Sequence, residues 1–274
     1  MSQYAVMPFA DYEAACNAVR SKTGRSLPIK STQLASEITG IQVGGTEITD
    51  GIVVKTRDTD GYAVDIDYYG TSVQPYTFGT NGTTTQAFIW RRLRTITFKN
   101  AVTLFGANAF DRIHSSFQIT LPDTVTTIGN YCFQRAASVS NVVIPQSVIS
   151  IGLGAFYGSS ISAYTDPYMN AQASYGGASS NPQVLYGCTN LHTVQFGSAG
   201  HPVTLLNRYI LSGCTQSNLT VTAYCRGDYA DTLQGILRNG ATNAVIILKA
   251  AESTVYNGRA FSAGDTMVVS EVSV

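Results

Sequence analysis

Apolar residues return every 23 residues between Leu93 and Ser162, and this period dominates the hydrophobic pattern of the chain. A fixed period in the low twenties is typical of a solenoid, in which each coil buries one face against the next. Within each period, short alternating stretches predict strands, and recurring glycines predict tight turns or close backbone approaches. The matching columns are Phe110, Phe133 and Phe156; Val102, Val125 and Val148; Phe105, Ile128 and Ile151; Ile96, Ile119 and Val142; and Gly106, Gly129 and Gly152.

Weaker copies of the repeat extend this pattern in both directions, so we predict a solenoid over residues 69–250. The Gly-punctuated, alternating segment 44–68 predicts a β linker that starts the sheet. Residues 251–274 alternate well enough to predict capping strands that protect the last coil from edge pairing.

The first 43 residues have a helical rather than a β pattern. Tyr12 and Val19 fall on one face of a predicted helix over residues 11–22, and a second short helix carries Leu34 and Ile38. Two small helices bury too little apolar surface to fold alone. We therefore predict that these four side chains attach the segment to a partner or to sister chains.

The charge balance argues against several classes of partner. The 17 basic and 17 acidic residues cancel, and only 12% of the residues are charged, so no net field favours nucleic acid or an anionic membrane. No apolar stretch is long enough for a membrane span, so no membrane insertion is expected. The N-terminus lacks the pattern of a secretory signal, so synthesis in a cytoplasm is expected.

The residue patterns of catalytic, metal and cofactor sites are weak. The three histidines stand in no metal-binding motif, and no GxSxG motif occurs. Five cysteines without metal-ligand spacing predict buried, reduced thiols. Asp58, Asp60, Asp65 and Asp67 cluster in sequence. Asp65 and Asp67 would project from one face of an alternating strand, and we interpret these two as solvated, with weak cation binding as the alternative. We therefore predict no enzyme and no cofactor.

Two segments combine side chains that suit recognition. Residues 164–182 mix tyrosines with amides and hydroxyls, and residues 90–92 join Trp to Arg. The alternative is that these tyrosines pack on their own solenoid or on a sister chain, and that the Trp-Arg cluster packs its stems on the fold. The candidate receptor-binding residues are Tyr164, Tyr168, Asn170, Tyr175, Trp90 and Arg91.

Two resemblances refine these expectations. Residues 119–133 (ITLPDTVTTIGNYCF) and 142–156 (VVIPQSVISIGLGAF) resemble the BspA-type leucine-rich repeat. Residues 11–24 (DYEAACNAVRSKTG), a Leu-Pro link and residues 34–41 (LASEITGI) resemble the N-terminal module of tail and baseplate proteins from phages of Gram-positive bacteria. The fold class expected is mainly β: a BspA-like leucine-rich-repeat solenoid with a small α-helical N-terminal adaptor and C-terminal capping strands.

The resemblances imply a non-enzymatic structural protein of the virion tail fibre or baseplate. Its N-terminal helices would attach to other tail or baseplate proteins, and its solenoid would engage a host cell-surface glycan or protein. Tail proteins assemble around a symmetry axis, which implies a homo-oligomer, with a trimer favoured. A bacterial BspA-like surface adhesin and a purely architectural virion protein remain open alternatives.

Overall fold

The computed structural model describes residues 46–49, 51–60, 62–79, 90, 92–113, 119–137, 139–171, 175 and 183–270. The chain divides into two compact units, residues 1–46 and 47–274. The predicted attachment helices, with Tyr12, Val19, Leu34 and Ile38, lie outside the described residues, and so does Arg91.

The described part is mainly β, with one short helix, α1 (Ala230–Gly240), that follows a 3-10 turn (Gly227–Tyr229). The strands are β1 (Thr46–Thr49), β2 (Ile52–Arg57), β3 (Ala63–Tyr68), β4 (Ser72–Val73), β5 (Thr95–Phe98), β6 (Leu104–Phe105), β7 (Thr127–Ile128), β8 (Asn141–Val143), β9 (Ser150–Ile151), β10 (Ala163–Asp166), β11 (Thr193–Phe196), β12 (Thr220–Cys225), β13 (Val245–Ala250), β14 (Thr254–Tyr256), β15 (Arg259–Phe261) and β16 (Thr266–Ser270).

Two parallel sheets form the faces of the solenoid. The larger sheet has the order β8-β10-β11-β12-β13, and the smaller, β4-β6-β7-β9, is built from two-residue strands. Each coil of the repeat contributes a strand in register with the next, so one apolar column points inward from each sheet. The inward columns are Val142, Tyr164, Val194, Val221 and Ile246 in the larger sheet, and Val73, Phe105, Ile128 and Ile151 in the smaller one.

Both ends of the solenoid carry additional strands. At the N-terminal end β2 pairs antiparallel with β3, and β3 pairs parallel with β5, so β1, β2, β3 and β5 form a separate four-stranded sheet. At the C-terminal end β16 pairs antiparallel with β13 and covers its edge. The capping strands expected there are therefore present, and a β14–β15 hairpin turns at Asn257-Gly258, where both residues have positive φ.

A ladder of phenylalanines fills the core between the two sheets. Adjacent rings stack nearly parallel: the centroids of Phe78 and Phe110 are 5.3 Å apart, those of Phe110 and Phe133 4.9 Å, and those of Phe133 and Phe156 5.2 Å. Every ring is at most 1% exposed. The 23-residue period of the sequence is thus the period of the stacked coils.

The glycine column is the place where successive coils approach most closely. The N–H groups of Gly106, Gly129 and Gly152 each donate to a carbonyl one coil back, at 2.7 Å. A Cβ at Gly129 would lie 2.6 Å from the backbone nitrogen of Ala107, and one at Gly152 would lie 2.3 Å from that of Asn130. The close backbone approach predicted for this column is confirmed, and only glycine fits it.

Helix α1 is an addition that the 23-residue period did not predict. Its buried residues Ala230, Leu233 and Leu237 recur at helical spacing and face strands β12 and β13. No helix in the described part of the chain is long and apolar enough to span a membrane.

Candidate recognition surface

Along one edge of the solenoid, successive coils each turn at a residue whose backbone has the left-handed conformation. Arg135, Gly158, Gly187 and Gly213 occupy equivalent turns on successive coils, with φ of 51°, 62°, 71° and 78°. Backbone N–H groups of the first three donate to carbonyls of the next coil, namely those of Tyr157, Tyr186 and Ser212, each at 2.8 Å. These bonds align the three acceptor residues one above the other.

Planar side chains stack along this edge. The guanidinium carbon of Arg135 lies 5.8 Å from the centroid of the Tyr157 ring, and the Tyr157 and Tyr186 rings stack at 5.5 Å with 23° between their planes. Tyr131 lies alongside, because its ring carbons stand 2.7–2.8 Å from the position that a Cβ on Gly154 would take. We call Tyr131, Arg135, Tyr157 and Tyr186 the tyrosine ridge.

The ridge lies on the surface rather than in the core. Tyr186 is 39% exposed, Arg135 is exposed, and Tyr131 and Tyr157 are half-buried. Sequence reasoning missed these residues because the spacing of the repeats lengthens to 29 residues between Tyr157 and Tyr186. The signal that could have found them is the Tyr-Gly pair that occurs at 157–158 and again at 186–187.

The structure corrects the choice of Tyr164 and Tyr175 as receptor contacts. Their side chains are 1% and 0% exposed, so no partner can reach them. The Tyr175 hydroxyl lies 2.6 Å from that of Tyr164 and donates to Oδ2 of the buried Asp166 at 2.7 Å, while the Met169 N–H donates to Oδ1 at 2.9 Å. Burial raises the pKa of Asp166. The alternative interpretation, in which these tyrosines pack on their own solenoid, describes them correctly.

The other candidates from the sequence are spread over the molecule. Trp90 is 3% exposed and packs edge-on against Phe78, with centroids 5.3 Å apart, so it too is a core residue. Tyr168 is half-buried against His201, and Asn170 is exposed while its amide donates to the Gln146 carbonyl at 2.6 Å. Only Tyr168 and Asn170 of the described candidates keep accessible surface.

The aspartate cluster is not simply solvated. Arg92 pairs with Asp58 and Asp60 at 2.8 Å each, so the structure joins two motifs that stood apart in the sequence. Asp67 is 7% exposed, with its Oδ2 3.3 Å from the Lys99 ammonium. Asp65 accepts hydrogen bonds from two threonine hydroxyls, which lower its pKa. The interpretation as solvated side chains was therefore wrong for Asp67.

A cleft of about 650 Å³ opens beside this cluster, lined by Thr56, Arg57, Asp58, Thr59, Val64, Asp65, Arg92 and Arg94. Both carboxylates of the cleft already have partners: Arg92 donates to Asp58, and the Thr95 hydroxyl donates to Asp65 and so links β5 to β3. Among the described residues, no group of three or more His, Cys, Asp or Glu side chains could hold a metal ion.

The described cysteines are free and buried, as predicted. Cys188 and Cys214 occupy equivalent positions on adjacent coils, and each thiol donates to a carbonyl one coil back, that of Phe156 at 3.1 Å and that of Leu185 at 3.3 Å. Burial raises the pKa of Cys188 to about 11 and that of Cys214 to about 12. Cys16 lies outside the described residues.

Comparison with known families identifies the repeats. Residues 69–176 match the family model of the BspA type leucine rich repeat region, in six copies. This chain carries BspA-type leucine-rich repeats. No curated protein and no solved structure matches it. The repeats predicted from the sequence are thus confirmed, while no homologue supports a phage tail or baseplate identity.

Proposed function

We propose that this protein is a non-enzymatic recognition module that binds a host cell surface through the tyrosine ridge. BspA-type repeats suggest a surface-adhesin or recognition role, and the ridge offers the surface for it. The observation that carries the proposal is the Arg135–Tyr157–Tyr186 stack, in which planar side chains of three successive coils lie at the surface.

The physical chemistry of these side chains suits binding. Tyrosine and arginine are enriched among the residues that contribute most to interfaces, and tyrosine offers a large contact area for little loss of rotamer freedom. In the ridge the rings are already ordered by stacking on a hydrogen-bonded solenoid, so less conformational entropy is lost when a partner binds. The core does not need these rings, because the phenylalanine ladder fills it.

We further propose that the module belongs to a virion tail fibre or baseplate. The support is the resemblance of residues 11–41 to phage attachment modules, and the expected partners are other tail or baseplate proteins, in a homo-oligomer with a trimer favoured. The competing contexts are a bacterial BspA-like surface adhesin, with which the repeats are equally compatible, and a purely architectural virion protein.

The test is binding of the fluorescently labelled full-length chain to a panel of Gram-positive cells. The Tyr157→Ala/Tyr186→Ala double variant is compared with a control that truncates exposed side chains elsewhere, Tyr69→Ala/Val255→Ala, whose side chains are 47% and 62% exposed. We expect the ridge variant to bind at least about tenfold more weakly and the control to bind like the parent.

Two results would count against the proposal. If the parent and the ridge variant bound cells equally well, another surface of the protein would be responsible for recognition. If the parent bound none of the strains, the architectural role would be favoured. Light scattering of the same full-length protein measures the oligomeric state. A monomer would remove the support for assembly through the N-terminal segment.

A further inference from the structure

We propose that the tyrosine ridge ends in a stacking site for a neutral pyranose ring, formed by the face of Tyr186 that looks toward Ser212 and Gly213. This inference rests on the proposed function, because it names the ligand class that the ridge recognises. Two observations support it: the stack of planar groups ends at Tyr186, and the exposed residues that follow the neighbouring turns in sequence are uncharged and polar.

The ladder stops because the next coil offers no ring at the aligned position. Arg135, Tyr157 and Tyr186 stack in order along three coils, and the residue aligned with the two tyrosines on the following coil is Ser212. A serine side chain cannot cover an aromatic face. One face of Tyr186 is therefore left without a stacked neighbour among the described residues, in agreement with its exposure of 39%.

Gly213 keeps this end of the ladder open. Its backbone φ of 78° lies in a region that residues other than glycine rarely adopt. A Cβ there would lie 3.2 Å from the Cα of Gly187 and 4.0 Å from Cε1 of Tyr186. Gly213 therefore adds no side chain near this edge of the Tyr186 ring, and Gly213 is exposed.

The exposed residues that follow the Gly187 and Gly213 turns in sequence carry hydroxyls and amides but no charge. Thr189 and Asn190 follow the Gly187 turn, and Thr215, Ser217 and Asn218 follow the Gly213 turn; all five are exposed. An aromatic face binds the C–H face of a sugar ring, and hydroxyl and amide groups both donate to and accept from sugar hydroxyls. A neutral pyranose matches both features, whereas an acidic or basic partner would find no opposite charge in residues 212–218.

The first experiment measures glycan binding directly. The full-length chain is applied to printed neutral oligosaccharides, including maltotriose, cellotriose and the trimer of N-acetylglucosamine, and the best binder is then titrated by calorimetry. Tyr186→Ala removes the platform, and Ser212→Tyr places a ring on the free face. Tyr69→Ala is the matched control, since this exposed tyrosine lies outside the ridge.

We expect at least one neutral oligosaccharide to bind, with affinity reduced at least about tenfold in both site variants and unchanged in the control. Because Ser212→Tyr adds a side chain rather than removing one, a loss in this variant is not explained by a missing contact of the fold. The inference would be overturned if the parent bound none of the printed neutral oligosaccharides, or if the parent and the site variants bound the oligosaccharide with equal affinity.

Treatment of the cells separates this inference from the proposed function. Ridge-dependent cell binding that is lost after periodate, which cleaves sugar diols, and kept after protease supports a glycan ligand. Ridge-dependent binding that survives periodate and is lost after protease overturns the glycan inference but leaves the ridge as a protein-binding surface. Cell binding that does not depend on the ridge overturns the proposed function itself.

Discussion

Phe110 and Phe133 stack face to face, with ring centroids 4.9 Å apart and 3° between their planes. The two residues are one sequence period apart, so the stack converts the repeat of the sequence into a contact between neighbouring coils. Phe78 and Phe156 extend the same ladder on either side. In a solenoid, stability is close to a sum of such contacts between neighbours, so each rung can be tested separately.

Phe133→Ala is expected to lower the free energy of unfolding by about 3–5 kcal/mol, because it removes a buried ring that stacks on two neighbours. Denaturant unfolding followed by circular dichroism measures the loss. The control is Ile149→Ala, at a side chain that is 66% exposed, which should change stability by about 0.5 kcal/mol or less. Equal effects of the two substitutions would contradict the ladder as the core of the solenoid.

Gly129→Ala should destabilise the protein although it adds a single methyl group. The new Cβ would lie 2.6 Å from the backbone of Ala107 and Gly106, which cannot move without separating the coils. The matched change is Gly235→Ala in helix α1, where nothing lies within 4 Å, and it should stabilise by about 0.5–1 kcal/mol. Thermal melts of both variants should therefore shift in opposite directions; a harmless Gly129→Ala would disprove the close approach.

Tyr175→Phe should destabilise the segment that follows β10. It removes the hydroxyl that donates to Asp166 Oδ2 in a buried site, and an unsatisfied buried acceptor costs about 1–3 kcal/mol. Tyr168→Phe is the control, because Tyr168 is only half-buried and its hydroxyl has no hydrogen bond among the described residues. Similar unfolding midpoints for parent and Tyr175→Phe would show that this network contributes little.

Asp111 should make stability depend on pH. The residue is 3% exposed, its Oδ1 has no hydrogen-bond partner among the described residues, and burial raises the pKa of its carboxyl to about 6. Because the folded-state pKa lies above the ordinary value, protonation of Asp111 favours the folded state. Its contribution to the free energy of unfolding is therefore full below about pH 4 and is lost as the pH rises through about 6.

Asp111→Asn should therefore gain stability relative to the parent between about pH 4 and pH 7, as measured by urea unfolding at each pH. Asp123→Asn, at an exposed position, serves as the control and should show no such trend. A carboxyl NMR titration that places Asp111 at an ordinary pKa would refute the explanation.

The buried thiols should resist modification. Burial raises the pKa of Cys225 to about 12, close to that of Cys214, and the thiolate is the reactive form. In a Cys16→Ser variant, Ellman's reagent at about pH 8 should react only after denaturant is added, and should then report four thiols. Fast reaction of the native variant would mean that these coils open readily.

The sequence alone determined the stacked columns of this protein. Phe133 and Gly129 recur in phase because each coil meets an almost identical neighbour, so the packing partner of a residue is its own equivalent one period away. Local periodicity therefore contains the information for the ladder, the close approach of the glycines and the repeat family.

Only the tertiary structure decided which aromatic residues face solvent. Tyr175 stands in a polar, glycine-rich stretch that is typical of a surface loop, yet its hydroxyl meets Asp166 in the core, through a contact that no period predicts. Tyr157 and Tyr186 form the ridge although insertions put them out of phase in the sequence. Burial of such residues depends on how the chain returns to the solenoid after an insertion, and long-range packing rather than local pattern determines that return.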